Sequence, residues 1–258
     1  MHEAQGAARR IGRATWGAVL LAAALVMGGC ATPVTVASSV RAGQAQADEA
    51  TVVFSVTSNS ARVQQFSGVE ITRAAVDGQP EQRFILPAMA HEVTRDTALF
   101  SGHVPPGDYQ LTRLHLGQAF VTLSPGGREL LGAFKVAAGG IADLGRLILT
   151  GQASQMLLGR SQLVTDNSEL VRQMVPQLQP AFARPASGGW LQGPSEGDRV
   201  EAFSRARPVG ADGLSELANG EVAAASRLGT VLMRSPGGQW AAARTGRLES
   251  LLWVTPYE

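Results

Sequence analysis

Residues able to attack, donate a proton or hold a metal are few in this chain and widely spaced. Gly193-Pro194-Ser195-Glu196-Gly197 satisfies G-x-S-x-G, a spacing in which a sharp turn exposes a serine hydroxyl as a nucleophile. That turn needs a buried strand before the serine and a helix after it. Ser195 instead follows the loop Ser187-Gly188-Gly189-Trp190 and precedes a strand expected over residues 200–203. Beyond the first 30 residues a base would have to come from His91, His103 or His115. His103 and His115 flank a Pro-Pro-Gly turn and could face each other across neighbouring strands, with Asp108 nearby, as an exposed metal site. Alternation places His115 on the face opposite Leu114 and Leu116, in solvent, so no metal ligand is assigned. His91-Glu92 opens like H-E-x-x-H, but Arg95 occupies the second histidine position. Lys135 is the single lysine and sits between Phe134 and Val136 in an expected strand, outside any P-loop or S-x-x-K context. The carboxylates form no pair at a distinctive spacing. Trp190, Trp240 and Trp253 could make an aromatic platform for sugars or peptides, but core packing is the stronger expectation. The chain is therefore read as non-catalytic, without a cofactor or an identifiable small-molecule substrate.

Cys30 is the only cysteine, which rules out an internal disulfide and a cysteine-based metal cage. Ahead of it stand Arg9, Arg10 and Arg13, then an apolar run over residues 16–27. A spanning helix needs roughly 20 apolar residues, so this shorter run reads as the core of a signal peptide. Met27-Gly28-Gly29-Cys30 resembles the lipobox of bacterial lipoproteins, with Met27 in the place usually held by Leu. The resemblance implies cleavage before Cys30, a diacylglycerol thioether on its sulfur and a palmitate-type acyl chain on its amine. Ala31, rather than Asp, implies an outer-membrane address facing the periplasm. Arg9-Arg10 could suggest the twin-arginine route, but Gly12 and Arg13 stand where that motif carries bulky apolar residues.

The 258 residues carry 22 basic and 21 acidic side chains, and removal of residues 1–29 changes the net charge from +1 to −1. No field of this size gathers nucleic acid or an anionic bilayer, so the membrane is reached through the lipid. With 45% hydrophobic and 17% charged residues, wholesale disorder and a coiled coil are excluded, while 30 glycines and 13 prolines call for many turns.

Residues 30–50, rich in Ala, Ser, Thr and Gln, read as a lipidated tether. Residues 51–150 alternate short apolar runs with turns, as a β-sandwich requires. Strands are expected over 52–56, 69–74, 83–86, 98–101, 109–116, 119–123, 130–136 and 141–149, with turns at Asp77-Gly78, Pro105-Pro106-Gly107-Asp108, Pro125-Gly126-Gly127 and Gly139-Gly140. The stretch Val104-Pro105-Pro106-Gly107-Asp108-Tyr109-Gln110-Leu111 resembles the PPGxYxL segment of carboxypeptidase-regulatory-like, prealbumin-type sandwiches, which implies a binding or structural module. Residues 151–199 read as a helix-containing linker. Asp166 and Glu169 have capping-box spacing, and Leu170, Val171, Met174, Val175 and Leu178 make a helical stripe that Pro176 should kink or end.

Residues 200–258 return to short strands, expected over 200–203, 221–225, 230–233, 240–243 and 251–254. The run from Gly229 to Trp240 resembles an Asp-box blade of sialidase-like or photosystem-assembly-type propellers, with Gly237 nearest the place of the missing Asp. A propeller needs about four to eight blades of roughly 40–50 residues each, so this region supplies one partial blade, and the chain reads as truncated or as completing its sheet elsewhere. The expected function is a lipid-anchored envelope protein that presents a β-rich surface to an envelope partner. The alternative is a glycan-binding or hydrolase-related propeller protein lacking its later blades, with Trp240, Arg234 and Arg244, joined by Arg247, as the remnant of a ligand face.

Overall fold

A computed structural model describes residues 33–38, 46–58, 66–76, 78–94, 96–152, 155–192, 200–202, 204, 211–248, 251 and 253–255. Its main sheet contains β1 (Val34–Val36), β2 (Ala50–Ser58), β3 (Gly68–Arg73), β4 (Gln82–Thr94), β5 (Thr97–Val104), β6 (Gly107–Leu116), β7 (Ala119–Thr122), β8 (Ala133–Val136), β9 (Ile141–Gln152), β10 (Gln155–Arg160) and β11 (Gly188–Trp190). The order is β10-β9-β2-β5-β4-β3-β6-β8-β11, with β1 added to β4 and β7 to β6. β2 runs parallel to β9 and β1 parallel to β4, while the other pairs are antiparallel. β1 lies inside the stretch expected to be a tether, and Ala37 behind it is buried in the core.

Where two facing sheets were expected, one mixed sheet curls into a half-barrel. The reason is β4. Its residues 82–87 pair with β3 and residues 88–94 with β5, so a single strand belongs to both flanks. Pro87, with no N–H to give the ladder, sits at the changeover, and the register shifts immediately after it. Inside the curl Phe54 stacks on Phe100 at 5.5 Å, Tyr109 on Phe134 at 5.7 Å, and Phe84 meets Tyr109 edge-on at 6.0 Å.

The two flanks touch at a seam. Ile141 bridges Ala186, Ser187 N–H donates to the Ile141 carbonyl at 2.7 Å, and Trp190 Nε1 donates to the Leu144 carbonyl at 3.0 Å. Glycine is required on both sides of it. A Cβ on Gly188 would stand 1.8 Å from the Lys135 carbonyl oxygen, and one on Gly140 2.3 Å from Ser187 Cβ.

Pro125-Gly126-Gly127, expected as a turn, is instead the start of helix α1 (Pro125–Leu131). Ser124 Oγ accepts the Gly127 N–H at 3.1 Å, and Pro125 at the first helical position forfeits only an N–H that has no intrahelical partner. The strand expected over 130–136 is therefore cut, and Leu131 enters the core while α1 spans from β6 to β10.

Alternation predicts one buried face for β2, yet all nine of its residues are buried. Val52, Phe54 and Val56 face the curl, and Val53 on the other side is covered by α2 (Ser168–Met174), a 3-10 turn (Pro176–Leu178) and α3 (Gln179–Phe182). Leu170, Val171, Val175, Leu178 and Ala181 pack there against Val53, Met89, Leu99 and Ile141, so the stretch read as a linker is a layer of the fold. The capping box does not form. Asn167 is the N-cap, Asp166 Oδ1 accepts the Ser168 N–H at 3.0 Å, and Glu169 binds Arg172 instead. A polar pin holds this layer. Asp143 accepts the backbone N–H and Nδ2 of Asn167, each at 2.6 Å, and the Gly145 N–H at 3.0 Å; Ser55 Oγ donates to Asn167 Oδ1 at 2.6 Å.

A second sheet is an antiparallel meander of β12 (Ala211–Glu216), β13 (Val222–Ser226), β14 (Thr230–Arg234) and β15 (Trp240–Arg244). Residues 200–202, expected as strand, are helical; the Glu201 carboxylate accepts the Gln162 N–H at 2.9 Å, which holds this turn on the loop after β10. Among the described residues of 251–254 there is no strand, although Leu251 N–H donates to the Ser226 carbonyl at 2.9 Å.

Candidate functional site

β3 and β6 turn their apolar residues inward, which leaves Glu70, Thr72, Gln110 and Arg113 on the outer face. A bulge at Thr112 changes the phase, so that Leu111 and Leu114 both enter the core while Arg113 and His115 stay outside. This face carries a buried acid. The Glu70 side chain is 2% exposed, with Arg83 Nη1 3.9 Å from Oε1, and Arg113 Nη1 and His115 Nε2 each 3.4 Å from Oε2. Thr112 Oγ1 donates to Oε1 at 3.3 Å, and the Arg113 guanidinium lies over the Phe120 ring at 4.7 Å. Two strands, β4 and β6, thus bring Arg83, Arg113 and His115 around one desolvated carboxylate on β3.

Beside this cluster a cavity of about 230 Å³ is lined by Thr72, Glu81, Asp108, Gln110, Thr112 and Arg128. Thr72 Oγ1 and Thr112 Oγ1 are 3.0 Å apart, and α1 carries Arg128 to the rim with its Nε buried and without a hydrogen-bond partner. The set offers hydroxyls, an amide, two carboxylates and a guanidinium, suited to a small polar ligand held by hydrogen bonds. Tyr109 also borders the cavity, with its ring in the core. Its hydroxyl donates to the Pro105 carbonyl at 2.7 Å, and burial pushes the phenol well above its ordinary pKa, so it stays a neutral structural donor.

The residues singled out from the sequence do not assemble into one centre. His103 is buried on β5, its Nδ1 3.1 Å from Thr51 Oγ1, which also receives Arg184 Nη1 at 3.2 Å. β4 and β3 separate β5 from β6, so His103 and His115 do not face each other across neighbouring strands. His115 does lie opposite Leu114, but packed between Glu70 and Phe120 with a side chain 16% exposed, not free in solvent. Among the described residues no cluster of three or more His, Cys, Asp or Glu could hold a metal. Asp108 lines the cavity, and Lys135 is exposed between buried Phe134 and Val136. Trp190 meets Phe134 edge-on at 5.6 Å and lies under Arg160 at 4.9 Å. Trp240 and Trp253 are 52% and 75% exposed. Arg234 is directly opposite Trp240 on β14, and Arg244 is opposite Thr230. Cys30, Arg95 and the Gly193–Gly197 motif with Ser195 lie outside the described residues, as do the side chains of His91 and Glu92.

Glu70, Arg83, Arg113 and Arg128 were not singled out from the sequence. The available signal was an acid in the centre of the apolar run Gly68-Val69-Glu70-Ile71, a position that burial makes costly unless cations surround it. Comparison with family models, curated proteins and solved structures returns no match.

Proposed function

We infer that this is a non-catalytic lipoprotein of the bacterial envelope, held at the outer membrane through Cys30 and presenting its β-rich outer face to a partner in the periplasm. The observation that carries this reading is the one cysteine of the chain, placed at the end of Met27-Gly28-Gly29-Cys30 behind a basic and an apolar segment. The state of the polar groups supports it. Glu70, His103 and Asp143 are each engaged by neighbours that hold the fold, and the open groove bounded by Thr72, Gln110 and Arg128 is built for hydrogen bonding.

The test is metabolic labelling with palmitate followed by intact mass of the membrane-extracted protein. Label on the wild type, its loss in Cys30→Ser, and an N-terminus at residue 30 are expected; an unlabelled, uncleaved chain refutes the anchor.

A second reading has its own observation. The meander β12-β13-β14-β15 has the strand order of a propeller blade, and Trp240 stands exposed beside Arg234 on one face with Arg244. Under this reading the protein binds glycans, or is related to a hydrolase, through a propeller of which this is one blade. Specific glycan-array binding that Trp240→Ala removes without unfolding would establish it.

A further inference from the structure

The small sheet ends in a strand that carries none of the usual protection against further pairing. β15 reads Trp240-Ala241-Ala242-Ala243-Arg244, with no proline, no lysine and no register shift, and all five residues are exposed. Its backbone orientation follows from the hairpin. Thr245 N–H donates to the Gly229 carbonyl at 2.8 Å and Ser235 N–H to the Gln239 carbonyl at 2.9 Å, so odd-numbered residues turn their backbone groups toward β14. Trp240, Ala242 and Arg244 therefore turn theirs outward, and among the described residues no strand meets them.

We propose that β15 pairs antiparallel with β15 of a second copy of this chain about a two-fold axis through Ala242. The occupant is chosen by complementarity. In this register Ala242 faces Ala242, each Trp240 faces Arg244 of the other copy, and every such pair exchanges both N–H···O bonds. The three side chains share one face of the sheet, and Arg234 already flanks Trp240 there from β14. The indole then lies between its own Arg234 and Arg244 of the second copy, with a cation on each side of its π-face. A parallel arrangement brings Arg244 toward Arg244 and gives each indole no cation from the second copy. Only alanines meet on the opposite face, so no bulky side chain of β15 obstructs the approach there. The surface is small, which fits a weak dimer that confinement on a membrane would strengthen.

The experiment uses the full chain in nonionic detergent with Cys30→Ser, so the introduced thiol is the only one and the outcome does not depend on lipidation. Directly opposed residues in a hydrogen-bonded pair have Cα atoms about 5.5 Å apart, inside the disulfide range of roughly 4.4–6.8 Å. Ala242→Cys should give a disulfide-linked dimer under mild oxidation, whereas Ala241→Cys and Ala243→Cys should not, because each faces the other position in the second copy. Ala242→Pro removes an N–H that points outward, so it should abolish association in sedimentation while far-UV circular dichroism and melting stay unchanged. Arg244→Ala removes both cation–π pairs and should weaken dimerisation about 5- to 30-fold. A folded chain that stays monomeric at hundreds of micromolar overturns the proposal. Equal crosslinking at positions 241 and 242 also overturns it.

Discussion

Replacing Asn167 by alanine tests whether the helical layer is pinned to the sheet as the geometry indicates. The Asn167 side chain is fully buried and makes three contacts: Nδ2 to Asp143 Oδ1 at 2.6 Å, Nδ2 to the Gly145 carbonyl at 2.9 Å, and Oδ1 from Ser55 Oγ at 2.6 Å. One of these is to a charged group, worth about 1.5–3 kcal/mol, and two are neutral, worth about 0.5–1.5 kcal/mol each, so Asn167→Ala should cost about 2.5–6 kcal/mol. Against a domain stability of about 5–15 kcal/mol that is a large fraction. With a urea slope near 3 kcal/mol/M, the unfolding midpoint followed by tryptophan fluorescence should fall by about 0.8–2 M. Asp166→Ala is the control on the same loop, since Asp166 is exposed and its Oδ1 accepts the N–H and the hydroxyl of exposed Ser168; it should cost about 1 kcal/mol. A midpoint for Asn167→Ala within the error of wild type, or equal to that of Asp166→Ala, would refute the reasoning.

Burial raises the Asp143 pKa above the ordinary carboxylate value, more than the hydrogen bonds from Asn167 and Gly145 lower it. The folded state therefore holds this proton to higher pH than the unfolded state, and the stability it contributes is present below the unfolded pKa and is lost as pH rises through the folded one. Stability measured from pH 3.5 upward should carry this falling component in wild type and lack it in Asp143→Asn; identical pH profiles would show that Asp143 is not its source. Gly188→Ala forces a Cβ onto the Lys135 carbonyl and should destabilise by about 3 kcal/mol, whereas Gly189→Ala, with open space around its Cβ, should be near neutral in the same urea series. Glu70→Gln leaves Arg83, Arg113 and His115 around a neutral amide and should cost about 1–3 kcal/mol; a melting temperature equal to wild type would mean the cluster contributes nothing.

Local pattern carried a large part of the architecture. Alternation in residues 52–56, 69–73 and 109–116 marks β2, β3 and β6, because a pleat puts every second side chain on one face whatever lies opposite. The stripe Leu170, Val171, Val175 and Leu178 marks the helical layer, and Gly229-to-Trp240 marks the last hairpin. The proposed lipidation of Cys30 rests on sequence spacing alone.

What local pattern could not decide was partnership. Whether β4 ends one sheet or joins two depends on strands far away in the chain, and so does the burial of both faces of β2. Ser124 turned a Pro-Gly-Gly turn into a helix by supplying one cap bond, and the seam needed Gly140 and Gly188 because two distant backbones meet there. The outer-face site is the clearest case. Glu70 is only an acid in an apolar run until register sets Arg83, Arg113 and His115 around it, and Arg128 is only a helix residue until α1 carries it to Thr72 and Gln110. Periodicity is set by each residue's immediate neighbours and is written in the chain; register, curvature and the meeting of charges are set by non-local pairing, and only the folded structure fixes them.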